Sequence, residues 1–162
     1  MPIIVKNSPI LILLLAALSL FVCDRSRVYE EYRAVGARGW HLDSAQTFVL
    51  EYDEGEQRYD AYMALRVNSD YPYQNLYVFV DQRYGNGEER RDTVNYRLAA
   101  PSGELLGKGM GALKEFMLPV FTGGTLPEAG EYSITLTHGM RDTQLVGLED
   151  VGFRLALHES DS

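Results

Sequence analysis

The chain has one cysteine, Cys23, so no intramolecular disulfide can staple the fold and stability must come from a buried core. Histidine is also scarce. His41, His138 and His158 lie far apart, in none of the spacings that build a metal site, and alternation places His138 and His158 at strand ends, where solvation is expected. No G-x-S-x-G elbow occurs, and the segment "GKGMGALKE" at 107–115 lacks the spacing and closing Lys-Ser/Thr of a phosphate loop and reads as a glycine-rich hairpin or crossover. The acids Asp142, Glu149 and Asp150, in one loop with Arg141, lack the D-x-D-x-D pattern of a calcium loop and are expected to form a solvated, partly paired loop. The sequence therefore assigns no catalytic residue, no metal and no cofactor other than a covalent lipid, argued below. Positive charge is short as well: 15 Lys and Arg face 23 Asp and Glu, a net charge of −8, which argues against nucleic acid or a generic anionic lipid surface as partner.

Long apolar runs are missing, with one exception. Residues 10–22, "ILILLLAALSLFV", are apolar apart from Ser19. As a helix these 13 residues reach about 20 Å, too short for a bilayer core of about 30 Å. Preceded by Lys6, the run reads as a secretory signal peptide over residues 1–22. Leu20-Phe21-Val22-Cys23 resembles a lipobox, in which the peptidase cuts before the cysteine and the thiol carries a diacylglyceryl group. Leu20 fits that pattern, and Val22 departs from the small residue usual before the cysteine. Lipidation gives a chemical reason for a lone cysteine in an exported chain, since a free thiol there would invite intermolecular bridging.

What remains after residue 22 is long enough for one domain. Residues 23–39 are expected to form the lipidated N-terminus and a polar tether, 40–158 a β-sandwich, and 159–162 a tail. After Trp40, period-two alternation recurs: Phe48, Leu50 and Tyr52 share one face, as do Met63, Leu65 and Val67, then Leu76, Val78 and Val80 opposite Tyr77 and Phe79. Val94, Tyr96 and Leu98 continue it, followed by "EFMLPVF", "EYSITLTH" and "VGFRLALH". Turn signals separate these runs, among them Tyr-Gly-Asn-Gly at 84–87, Pro-Ser-Gly at 101–103 and Gly-Gly at 123–124. The spacing implies an all-β, antiparallel sandwich or jelly roll of seven or eight strands. Pro119 marks its strand as an edge or bulged one, because proline cannot donate to the ladder.

The run "YPYQNLYVFV" at 71–80 is the most individual stretch. Tyr71, Tyr73 and Tyr77 are candidates for an interaction surface, with rings able either to stack on sugar faces or to pack on the core at a strand entry.

Taken together, the lipobox followed by "CDRSRVYEEY", the segments "ALRVNSDYPYQNLYVFVD" and "RRDTVNYRLAAPSGELLGKGMG", and the ending "GEYSITLTHGMRDTQLVGLEDVGFRLA" resemble the GldH family of gliding-motility lipoproteins. The resemblance runs from Cys23 to about Leu157. It implies a noncatalytic cell-envelope lipoprotein with protein partners in the gliding and type 9 secretion apparatus; separately, the outer membrane is expected as its host over the inner. A surface glycan-binding lipoprotein is the alternative. The matched positions are Cys23, Tyr71, Pro72, Asn75, Leu76, Tyr77, Asp92, Gly107, Gly109, Gly111, Met140, Arg141, Asp150 and Gly152, most of them expected to serve structure. On that view Gly107, Gly109 and Gly111 line a strand or bulge, Arg141 pairs with Asp150, and Asn75 caps the turn after Tyr73.

Overall fold

The computed structural model describes residues 26–52 and 57–159. Ten strands follow in order: β1 (Arg27–Ala34), β2 (Trp40–His41), β3 (Gln46–Tyr52), β4 (Tyr59–Val67), β5 (Asn75–Arg83), β6 (Glu89–Arg97), β7 (Lys114–Gly124), β8 (Gly130–His138), β9 (Gln144–Leu145) and β10 (Leu148–Leu157). Each expected run is a strand, and the architecture is the all-β antiparallel sandwich. The pairing is nested. β5 pairs with β6, β4 with β7, β3 with β8, β2 with β9, and β1 with β10, all antiparallel, as in one long hairpin whose tip is the 84–88 turn. Two further pairings, β10 with β4 and β5 with β8, roll that hairpin up. The result is two four-stranded sheets, β1-β10-β4-β7 and β3-β8-β5-β6, which is a jelly roll.

Alternation decides which side chains fill the space between the sheets. Phe48 and Leu50 of β3, Met63 and Leu65 of β4, Val78 and Val80 of β5, Tyr132 and Ile134 of β8, and Val151 and Phe153 of β10 are all buried. Phe153 is the junction. Its ring centroid lies 6.1 Å from Tyr29 on the neighbouring strand, and 6.1 Å from Phe48 and 6.2 Å from Tyr132 on the opposite sheet. Pro119 lies on β7, an edge strand, and its carbonyl accepts a hydrogen bond from the Tyr96 hydroxyl at 2.9 Å.

The N-terminal boundary differs from expectation. β1 lies inside the stretch expected to be a tether, so the β-sandwich includes Arg27–Ala34 and extends ahead of Trp40. Its sequence hides the strand because no residue of β1 is fully buried. Arg33 and Glu31 pair at 2.7 Å on the side facing the core, the Arg33 guanidinium sits 4.7 Å over the Phe48 ring, and Arg33 Nη1 donates to the Thr47 carbonyl. An ion pair thus closes the open edge where an apolar side chain would have been legible.

On the outer face of the first sheet, Tyr32 is laid across its neighbours. Register puts Gly152 beside Tyr32, Ala64 beside Gly152 and Met117 beside Ala64, so two small residues leave a channel for the ring. The Tyr32 hydroxyl donates to Glu115 Oε1 at 2.8 Å, and the Arg66 guanidinium covers the ring at 4.4 Å. Asp150 lies 3.5 Å from Arg66, so its ion-pair partner is a residue of the adjacent strand and not Arg141. A Cβ on Gly152 would sit 2.7 Å from the Glu31 carbonyl oxygen and 2.9 Å from the Tyr32 ring. Gly152→Val should therefore cost about 2 to 3 kcal/mol by overpacking, read as a lower urea midpoint; an unchanged midpoint would remove the strap from the account of stability.

The histidines depart from the solvated role. His158 sits 2.8 Å from Asp60, and His138 is completely buried, edge-on to the Trp40 indole at 5.3 Å between centroids. Neither ring nitrogen of His138 completes a hydrogen bond. Burial holds its pKa below the ordinary 6.5, with His41 acting in the same direction and the Trp40 backbone and Asp142 opposing. The unfolded chain then takes up this proton before the folded one does, so stability is full above about pH 6.5 and declines as pH falls below it. Urea unfolding of His138→Leu and the parent at pH 7.5 and pH 5 should show the difference between them shifting in favour of the variant at the lower pH. An equal difference at both values would sink this assignment.

Candidate interaction surface

β5 turns its apolar residues Leu76, Val78 and Val80 inward and projects Tyr77, Phe79, Asp81 and Arg83 from the outer face of the second sheet. Register builds rows across that face. Phe79 lies between Thr93 of β6 and Thr137 of β8, while Asp81 lies between Arg91 and Thr135. The Thr135 hydroxyl is 2.8 Å from that of Thr47 on β3. Arg91 pairs with Asp81 at 3.0 Å and stands 5.4 Å over the Phe79 ring. Beyond it, Arg83 pairs with Glu89 at 3.2 Å, and a cleft of about 540 Å³ opens between Asp81, Arg83, Glu89, Arg91, Ser133 and Thr135. The charges are balanced in pairs, so the face offers directional hydrogen bonds and ring surface without a strong net field. Among the described residues no cluster of three His, Cys, Asp or Glu is placed to hold a metal ion.

One end of this face is fixed by loops. Gly139 leaves room for the aromatic side chains: a Cβ there would lie 3.0 Å from the Phe79 ring and 3.5 Å from the Tyr77 Cβ. The Gly139 amide donates to the Tyr77 carbonyl at 2.7 Å, and the Tyr77 amide donates to Met140 Sδ at 3.4 Å. Asn75 does not cap the preceding turn as expected. Its Nδ2 donates to Asn95 Oδ1 at 2.7 Å, and its carbonyl accepts the Tyr71 hydroxyl at 2.8 Å.

The three tyrosines singled out from sequence have different fates. Tyr71 is 7% exposed and packs in the core, so burial raises its pKa. Tyr73 is half-buried, meets the Tyr71 ring at 74°, and donates to Asp142 Oδ2 at 2.5 Å, the hydrogen bond that chiefly raises its pKa. Tyr77 is 43% exposed. The three rings do not line up as an open row. Phe79 joins Tyr77 instead, a pairing that alternation already places on one face, while the Tyr-Pro-Tyr corner anchors the rim. Cys23 lies outside the described residues.

Comparison with known proteins follows the same extent of chain. The GldH lipoprotein family profile matches residues 27–155. The chain is 37% identical over 158 residues to the gliding motility lipoprotein GldH of Flavobacterium johnsoniae, covering 93% of this chain and 96% of that one. It is 34% identical over 140 residues to a GldH homolog of Christiangramia forsetii, covering 82% and 85%. Similar solved structures include one of infectious bursal disease virus, with a TM-score of 0.33 at 14% identity over 81% of this chain and 30% of that one, a likeness too distant to inform function. The match begins with β1 and ends within β10, the two strands that close the roll, and on this full-domain correspondence the chain belongs to the GldH lipoprotein family.

Proposed function

We propose that this protein is a noncatalytic, lipid-anchored component of the cell envelope that serves gliding motility and the associated type 9 secretion machinery by docking partner proteins. The observation that carries the reading is the near full-length similarity to a relative named for gliding motility. Lipid on Cys23 holds the chain at a leaflet, the outer membrane being the proposed host, and more than one acyl chain gives stable attachment where a single chain is marginal. The outer face of the second sheet supplies the docking surface, with Tyr77 and Phe79 as ring anchors and the Asp81–Arg91 pair beside them for specificity. A glycan platform is less well supported, because Tyr71 is buried and Tyr73 turns its ring edge-on to it.

In-cell crosslinking of the native lipoprotein, with mass spectrometry of the captured proteins, tests the role. Gliding or secretion components should be recovered, and a Cys23→Ala strain should lose both them and the membrane fraction of the protein. Recovery of glycan-uptake proteins instead would overturn the assembly role, and density separation of the two membranes reads the host directly. Tyr77→Arg, at an exposed position, should leave stability within about 0.5 kcal/mol of the parent while lowering partner capture roughly tenfold, the weight of an interface anchor. Undiminished capture would move the docking surface elsewhere.

A further inference from the structure

The segment between β6 and β7 is the glycine-rich hairpin expected at 107–115, and its glycines turn the chain and do not line a strand. Lys108 and Glu115 exchange two backbone hydrogen bonds of 2.8 Å and close a loop between them. Gly109 and Gly111 take positive φ of 116° and 83°, and Lys114 Nζ donates to the Gly109 carbonyl at 2.6 Å. This holds Met110 out at the tip, 98% exposed, with Leu106 at 55% and Leu113 at 45% on the two flanks of the same loop. Three exposed large apolar side chains in one short loop are a feature that needs an explanation.

Charge narrows the choice. The sequence has three lysines, Lys6, Lys108 and Lys114, so both that follow Cys23 flank this tip, and residues 105–114 contain no acid. Glu115 is turned to the outer sheet face, tied to Tyr32 and Arg66. A basic, aliphatic loop in a chain of net charge −8 is a local inversion. It has no aromatic residue and no arginine, the types enriched where proteins dock, and it carries lysine, which is depleted there. Long aliphatic stems with ammonium heads instead suit the boundary between acyl chains and anionic headgroups.

We propose that this loop is a second membrane contact, inserting Met110, Leu106 and Leu113 into an anionic phospholipid surface with Lys108 and Lys114 at the headgroups. The inference rests on the lipid-anchored reading above. Geometry then sets the orientation. Cys23 precedes Arg27 by four residues, a leash of at most about 14 Å. Arg27 lies beside Ala156 at one end of the first sheet, while Lys114 lies beside Val67 at the other end and on the opposite edge. Strand rise and spacing put these corners roughly 27 Å apart. A protein held at both lies along the membrane on the side of its first sheet, which turns Tyr77, Phe79 and the Asp81–Arg91 pair outward to partners.

The test places a photo-crosslinking benzoylphenylalanine at position 110, and separately at the outward position 93, in the full-length lipoprotein reconstituted into phosphatidylethanolamine and phosphatidylglycerol vesicles. Phospholipid adducts counted by mass spectrometry should be roughly fivefold or more above position 93 at position 110. Combining Lys108→Gln with Lys114→Gln should lower that yield roughly tenfold. Equal adducts at 110 and 93, in protein whose mass shows lipid on Cys23, would overturn the loop contact and leave the anchor standing. A mass without lipid would overturn the anchor and this inference with it.

Discussion

The antiparallel pairing of β1 with β10 is the constraint within which every other pairing sits. It joins the first strand of the domain to the last and encloses the remaining hairpin pairings one inside another, from β2–β9 down to the turn at 84–88. Such long-range ladders carry a high loop-closure cost, so they must be rewarded by burial once formed. β10 supplies that reward from two successive residues. Phe153 faces inward to rings from both sheets, and Gly152 faces outward under Tyr32. A one-residue slip would exchange these faces and lose both contacts, which is why this central strand fixes register so firmly.

Much of this architecture is readable in the sequence because the central strands alternate cleanly. β5, with Leu76, Val78 and Val80 against Tyr77 and Phe79, shows inward and outward faces in the letters themselves. β1 is illegible for a physical reason: an edge strand flanked by solvent tolerates Glu31 and Arg33 on the side that elsewhere is apolar. His138 is illegible too, since a strand-terminal histidine looks solvated until Trp40, from a distant two-residue strand, is folded over it. The glycines at 107–111 alternate as strand residues do, yet positive φ at Gly109 and Gly111 is a property of the backbone that spacing does not encode. The partner of Asp150 depends on β10 lying beside β4, a pairing between strands far apart in sequence.

The candidate surface was half legible. Alternation puts Tyr77 on an outer face, but the fate of Tyr71 and Tyr73 depends on the loops around them. Gly147 leaves room for the Tyr71 backbone, which a Cβ there would approach to 2.2 Å, and Asp142 receives the Tyr73 hydroxyl. Residues that read as a recognition motif thus prove to be the frame that holds one end of the surface. The balanced ion pairs on the open face have a related meaning, since paired charges select a partner by geometry more than by attraction at a distance.

The position of β1 also has a mechanical meaning. Under the proposal that lipid on Cys23 anchors the chain, a pull through it enters the fold at Arg27, the first residue of β1, and a pull directed along the membrane plane, in which the first sheet is proposed to lie, has a component along the strand axis. The β1–β10 ladder runs from Arg27 beside Ala156 to Ala34 beside Asp150 and lies parallel to that component. Tension therefore loads the ladder in shear, where its hydrogen bonds resist together, and does not peel them apart one at a time. An attachment at this corner is therefore stronger under such a load than one from which the two strands would unzip.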